Sequence, residues 1–140
     1  MQVSTSKERT AQGKADALST ILVAEDHLDS REALRALLEA FGYRVLVAVN
    51  GQQAVLMAAS ELPDLVLMDI MMPEMDGFEA TRAIRGDART SRIPIIAVTA
   101  MEGAQQLALQ AGADDFVRKP VDIRGLVAKV VQFLPPPRVE

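Results

Sequence analysis

Leu65-Val66-Leu67-Met68-Asp69-Ile70-Met71-Met72-Pro73-Glu74-Met75-Asp76-Gly77 decides the reading of this chain. Its first four residues are an unbroken apolar run of strand length, the pattern of a strand covered on both faces. Asp69 ends that run, and a carboxylate at the end of a buried strand is costly unless something uses it. The arrangement recurs along the chain. Glu25 and Asp26 end Ile21-Leu22-Val23-Ala24, Thr99 ends Ile95-Ile96-Ala97-Val98, and Lys119 follows Phe116-Val117-Arg118. Polar groups at the ends of four strands predict one site on one edge of a sheet. Such a site would hold a divalent cation and a phosphoryl group.

Outward from this stretch, apolar runs alternate with helical patterns. Asp29-Ser30-Arg31-Glu32 has the form of a capping box and predicts a helix start. Leu34, Leu37, Leu38 and Phe41 follow at i, i+3, i+4 and i+7, and Gly42 stops that helix. Residues 44–49 read as the second strand and Gly51–Glu61 as the second helix, ended by Leu62-Pro63. Asp76 is placed to cap a helix over 77–85, and a polar loop over 86–92 leads to the strand Ile95–Thr99. A short helix over 103–111 is stopped by Gly112, and Asp115–Arg118 is the fifth strand. Asp122 caps a last helix whose inner face carries Leu126, Val127, Val130 and Phe133. Strands alternating with helices in this way give a doubly wound parallel α/β sheet of five strands, with five helices in a three-layer α/β/α stack. Right-handed crossovers leave few topologies. Ligands on such sheets sit outside the carboxyl ends of the strands. Glu25, Asp26, Asp69, Thr99 and Lys119 all occupy such ends.

Composition narrows the functional classes. The 140 residues suit one domain, and hydrophobic residues at 49% with aromatics at 4% demand an aliphatic core. With no cysteine there are no disulfides or thiolate metal sites, and a single histidine argues against a zinc site. The net charge of −4 argues against a nucleic-acid partner. No apolar run is long enough for a membrane span, and the polar N-terminus is not a signal peptide, so a soluble cytoplasmic protein is expected. Residues 1–19 read as a flexible N-terminal tail, 20–134 as the folded domain, and 135–140, with Pro135-Pro136-Pro137, as a Pro-rich C-terminal tail.

At its strand ends the chain resembles the receiver domain of two-component response regulators, over about residues 20–134. The resemblance rests on Glu25-Asp26, on Asp69-Ile70-Met71-Met72-Pro73 leading to Met75-Asp76-Gly77, on Thr99-Ala100, and on Ala111-Gly112-Ala113-Asp114-Asp115-Phe116 running into Lys119-Pro120. It implies a flavodoxin-like sheet of order 2-1-3-4-5. Three converging carboxylates repel one another unless a cation neutralises them. A hard, oxygen-preferring ion fits, Mg²⁺ or Mn²⁺, with Asp26 and Asp69 as direct ligands, Glu25 through water and the Met71 backbone carbonyl completing the set. Asp69 is then the phosphoacceptor, Lys119 neutralises charge, and the Thr99 hydroxyl bonds a phosphoryl oxygen. By resemblance, the donor is a phosphohistidine on a histidine kinase or histidine phosphotransfer protein. Thr99 and Phe116 form the switch, and Phe116, lacking a hydroxyl, is biased inward.

The segment between Thr99 and Lys119 is shorter than the usual receiver pattern, so the helix over 103–111 is expected to be short, shifted or loosely held. Met71 and Met101 are apolar at positions that, by resemblance, govern water attack on the acyl phosphate. Met68, Met71, Met72, Met75 and Met101 read as a cluster at the site mouth. His27 reads as a solvated loop histidine, with pH sensing beside the metal as the alternative. Arg82, Arg85, Arg89 and Arg92 read as a solvated face. The expected protein is a stand-alone receiver, monomeric or weakly dimeric, signalling to a downstream protein through protein–protein contacts, without direct nucleic-acid or membrane contact. It would assist its own phosphorylation and dephosphorylation without being a separate enzyme. A receiver segment of a hybrid histidine kinase competes closely. An aspartyl-phosphate phosphatase would want a second acid where Met71 stands, and a non-phosphorylated binding module would not need the full constellation.

Overall fold

The computed structural model describes residues 18–135. The tails expected at 1–19 and 135–140 therefore lie outside the described residues, apart from Leu18, Ser19 and Pro135. In chain order the elements are β1 (Thr20–Ala24), α1 (Leu28–Ala40), β2 (Arg44–Ala48), α2 (Gly51–Glu61), β3 (Leu65–Asp69), α3 (Gly77–Gly86), β4 (Ile95–Thr99), α4 (Ala104–Ala111), β5 (Asp115–Arg118) and α5 (Ile123–Phe133). The five strands form one parallel sheet in the order β2-β1-β3-β4-β5, as the resemblance implies.

Residue alternation along the strands divides the core in two. Leu22, Ala24, Val66, Met68, Ile95 and Ala97 face one side, where they meet Ala54 and Ala58 of α2, Ala80 and Ile84 of α3, and Ala108 of α4. Ile21, Val23, Leu65, Leu67, Ile96 and Val98 face the other, against Leu34 and Leu38 of α1 and Leu126 and Val130 of α5. All five residues of β3 and of β4 are buried, which is why these runs show no polar alternation. Each fully buried aliphatic side chain stabilises the fold by roughly 1.5–3 kcal/mol relative to exposure. Alanines on α2, α3 and α4 let those helices approach the sheet closely, which offsets the shortage of aromatics.

Three of the five helices, α2, α3 and α5, start on a side-chain cap. Asp76 accepts from the Glu79 N–H while Glu79 returns a bond to the Asp76 N–H, a complete capping box at α3. Asn50 caps α2 and Asp122 caps α5. The box expected at Asp29 does not form. α1 begins at Leu28 after His27, which supplies no side-chain cap, and Asp29 lies within the first turn. There its charge still favours the positive end of the helix dipole. The earlier start has a cause: the Arg31 guanidinium, on α1, bonds the Glu25 and Asp26 carbonyl oxygens at 3.1 and 3.3 Å and draws that loop onto the helix.

Arg85 is a second departure from the sequence reading. It is not part of a solvated face. Its guanidinium bonds the carbonyls of Gly112, Ser91 and Ile93 and pairs with Asp114, tying the end of α3 to the end of α4 and the start of β5. α4 is short, with eight residues, and its first position follows Gly103, which provides no side-chain cap.

Tyr43, the only tyrosine in the chain, is buried at the start of β2 and donates its hydroxyl to the Leu134 carbonyl at 2.6 Å. Burial raises its pKa above the ordinary phenol value. Tyr43→Phe is expected to lower stability by about 1 kcal/mol in chemical denaturation, because a carbonyl at the end of α5 loses its donor. The phenolate absorbance titration of the wild type should lie above that of free tyrosine; a Tyr43→Phe stability equal to wild type would show that this bond does not tie α5 to β2.

Candidate functional site

The parallel register brings the carboxyl ends of the strands level. Ala24 pairs with Met68, Asp69 with Val98, and Thr99 with Arg118. The next residue after β1 is Glu25, and the next after β5 is Lys119. Backbone bonds hold these ends to their neighbours: the Glu25 N–H donates to the Ala48 carbonyl at 3.0 Å, and the Lys119 N–H to the Thr99 carbonyl at 2.9 Å.

At that rim the Lys119 Nζ lies 3.1 Å from Glu25 Oε1 and 3.4 Å from Asp69 Oδ2. Glu25 and Asp69 are 1% and 2% exposed, so the ammonium joins two buried carboxylates. Glu25 Oε2 accepts the His27 N–H at 3.1 Å. Asp69 Oδ1 accepts the Met71 N–H at 3.3 Å, and the Thr99 hydroxyl oxygen accepts the Met101 N–H at 2.9 Å. Asp26 adjoins Glu25 with its side chain a quarter exposed. Two carboxylate oxygens, Asp69 Oδ2 and Asp26 Oδ1, are buried without a hydrogen-bond donor. Three carboxylates against one ammonium leave an excess of negative charge, and oxygens without donors are what a hard cation would satisfy.

Electrostatics separates the acids. Burial raises the Asp69 pKa to about 6, and the neighbouring Glu25 charge adds to this against the opposing pull of Lys119. Burial acts on Glu25 too, but the His27 N–H and Lys119 outweigh it and hold that carboxyl below its ordinary value. For Lys119, desolvation is overcome by the Asp69 and Glu25 charges, and its pKa is raised. At neutral pH the ammonium is charged.

The turn after Asp69 is kept close by Gly77, whose N–H donates to the Ile70 carbonyl at 2.9 Å. A side chain there would collide with the Asp69 carbonyl and the Ile70 backbone, so only glycine permits the turn to fold back over the strand end. Met71 is 57% exposed on this turn. With Met72 and Met101 it lines a pocket of about 490 Å³ that also takes in Asp26 and His27. The expected methionine cluster therefore splits: Met71 and Met101 are exposed at the mouth, Met72 lines the mouth from the edge of the core, Met68 is in the core and Met75 packs against it.

Glu25, Asp69 and Lys119 thus meet directly, Asp26 adjoins them, and Thr99 ends the strand beside Asp69. Phe116 stands apart from the charged rim, half-buried against the core cluster on the α2, α3 and α4 side. Arg31 went unnoticed in the sequence. Its signal was an arginine one turn into a helix that follows an acidic loop.

The sequence model of the family described as response regulator receiver domain matches residues 21–131. Protein PilH of Pseudomonas aeruginosa is 42% identical over 115 residues, covering 81% of this chain and 95% of that protein. Response regulator PleD of Caulobacter vibrioides is 42% identical over 112 residues, 79% of this chain, and the chain spans only 25% of PleD's length. Among solved structures, the receiver domain of sensor histidine kinase PA1611 from Pseudomonas aeruginosa, with a magnesium ion coordinated in its active site cleft, superposes with a TM-score of 0.78 at 37% identity, covering 84% of this chain and 98% of that one.

The raised Asp69 pKa fixes a pH dependence. A carboxyl whose folded pKa exceeds its unfolded one binds protons preferentially in the folded state. Its contribution to stability therefore falls as pH rises from about 4 through about 6. Asp69→Asn is expected to raise the melting temperature of the metal-free protein at pH 7 and to flatten that fall. Equal pH profiles for wild type and variant would show that Asp69 carries no such burden.

Proposed function

This chain belongs to the response regulator receiver domain family, and from that membership we propose that Asp69 is its phosphoacceptor. Receiver domains are phospho-accepting signalling modules rather than separate catalytic enzymes. The observation that carries the assignment to Asp69 is the meeting of Glu25, Asp69 and Lys119 within one ion-paired cluster, with an Asp69 oxygen left without a donor.

An Asp69 carboxylate oxygen attacks the phosphorus of a phosphohistidine. The O–P bond forms as the P–N bond breaks, and the electron pair leaves with the donor imidazole, which takes up a proton. Lys119, already 3.4 Å from Asp69 Oδ2, draws charge off the carboxylate and then off the phosphoryl oxygens. The Thr99 hydroxyl donates to a phosphoryl oxygen once transfer is complete. Hydrolysis reverses the charge state: water attacks phosphorus, the acyl O–P bond breaks, and inorganic phosphate leaves the Asp69 carboxylate free. Asp26, Asp69, Glu25 and the Met71 carbonyl would hold Mg²⁺, or Mn²⁺ in its place. The ion, when bound, supplies the positive charge that one ammonium leaves wanting.

The donor would be a histidine kinase or histidine phosphotransfer protein in the cytoplasm. A groove of about 420 Å³ beside Lys119, walled by Leu34 and Leu37 of α1 and by Pro120, Val121 and Ile123, supports docking of an apolar helix next to Asp69. Output would pass to a downstream protein through rearrangement around Thr99 and Phe116. Residues 20–134 would act as the domain, monomeric or weakly dimeric. No helix among the described residues is long and apolar enough to cross a membrane.

Incubation with a small-molecule phosphodonor and Mg²⁺, read by intact mass, should add one phosphoryl group to the wild type. None should appear on Asp69→Asn or after chelation. Equal labelling of wild type and Asp69→Asn would reject Asp69 as acceptor. Met71 and Met101, both apolar and partly exposed at the site mouth, offer water no polar partner, so decay of the phosphorylated wild type should be slower than decay of a variant polar at both positions. Decay as fast as in that variant would remove them from control of the phosphoryl lifetime.

A further inference from the structure

His27 has no part in the phosphotransfer scheme, yet its ring is built into the acidic rim. His27 Nδ1 lies 3.4 Å from Glu25 Oε2 and 3.5 Å from Asp26 Oδ1. All three residues offer donor atoms within 4.8 Å of one another. Glu25 is shared between two directions: Oε1 takes Lys119, and Oε2 is held toward His27 by the His27 N–H. Asp26 Oδ1, the oxygen that faces the imidazole nitrogen, is buried and accepts no hydrogen bond. Beside this group stands Asp69, 2% exposed, whose Oδ2 accepts no hydrogen bond and feels both the Lys119 ammonium at 3.4 Å and the Glu25 charge.

We infer that His27 turns this rim into a mixed nitrogen–oxygen site, with Glu25 and Asp26, that takes a divalent transition ion of the Zn²⁺ or Co²⁺ class in preference to Mg²⁺. The inference rests on the reading of the same rim as a cation site. The spacing favours such an ion. In a tetrahedral centre with bonds of about 2.0–2.1 Å, neighbouring ligand atoms sit roughly 3.3–3.4 Å apart, and the His27 nitrogen stands at 3.4 and 3.5 Å from its two oxygens. Around an octahedral Mg²⁺ with bonds of about 2.0–2.1 Å, adjacent ligands come closer, at about 2.9 Å. Imidazole also suits zinc and cobalt, whereas magnesium keeps to oxygen and water. One histidine cannot build a zinc site from nitrogen and sulfur, as composition indicates, but two carboxylates beside it complete three protein ligands and leave a fourth position open. A transition ion seated there would occupy the phosphoacceptor's own rim, so its availability would set whether that rim is open to Mg²⁺.

His27 is the only histidine in the chain, so its ring protons give an isolated nuclear magnetic resonance signal in the untagged full chain. One equivalent of Zn²⁺ should shift that signal, and calorimetry should show Zn²⁺ bound more tightly than Mg²⁺. His27→Ala, at a side chain 73% exposed, should weaken Zn²⁺ binding about tenfold or more while leaving Mg²⁺ affinity within about twofold. An unmoved ring signal, or equal Zn²⁺ affinity in wild type and variant, would overturn the assignment of His27 while intact Mg²⁺ binding kept the underlying cation site. A wild type that bound neither ion would overturn both.

Discussion

Lys119 is the constraint on which the carboxyl edge of this molecule depends. Glu25 and Asp69 are both almost completely buried, and two carboxylates in such a place are tolerable only with a positive charge between them. Lys119 supplies it from 94 residues beyond Glu25 in the chain. The geometry requires β1, β3 and β5 to end at one level, and the parallel register accomplishes this. The Lys119 N–H bond to the Thr99 carbonyl pins the start of the β5–α5 connection to the end of β4, so the ammonium is delivered by backbone structure rather than by a long side chain searching for a partner.

The balance is deliberately incomplete in chemical terms. One ammonium does not neutralise three acids, and two buried oxygens lack donors. This is destabilising for the chain alone, and oxygens without donors are what a divalent cation would satisfy; the cation's charge, not the acids, would then let the rim accept an anionic phosphoryl group. Burial pushes the Asp69 pKa up while hydrogen bonding holds the Glu25 pKa down, so adjacent acids of nearly the same intrinsic strength take different parts. Arg31 serves the arrangement from α1 by holding the carbonyls of Glu25 and Asp26, which leaves their side chains free to face the rim.

Much of the fold was legible because its strands are covered on both faces. A run such as Ile95-Ile96-Ala97-Val98 has no polar alternation to confuse its reading, and Asp76, Asp122 and Gly112 mark helix ends by local chemistry. The rim residues were legible for a related reason: a charged group that closes an apolar run has few purely structural explanations. Arg85 was not legible, because an arginine on a polar helix face looks solvated until the Gly112, Ser91 and Ile93 carbonyls are known to converge on it. The start of α1 was misread at Asp29 because the competing pull of Arg31 on the preceding loop is a matter of three-dimensional placement. His27 was read as a solvated loop residue, and its ring is indeed exposed, but nothing in the sequence indicates that its nitrogen faces two carboxylate oxygens.

The order of residues alone determined the layered α/β class, the strand and helix positions to within a residue or two, and the chemical types gathered at the strand ends, because hydrophobic periodicity and end-capping are local properties. Tertiary structure alone decided which oxygens meet Lys119, which remain without donors, and how far burial shifts Asp69. Those depend on distances between segments far apart in the chain and on the exclusion of water, and neither quantity exists until the sheet has closed.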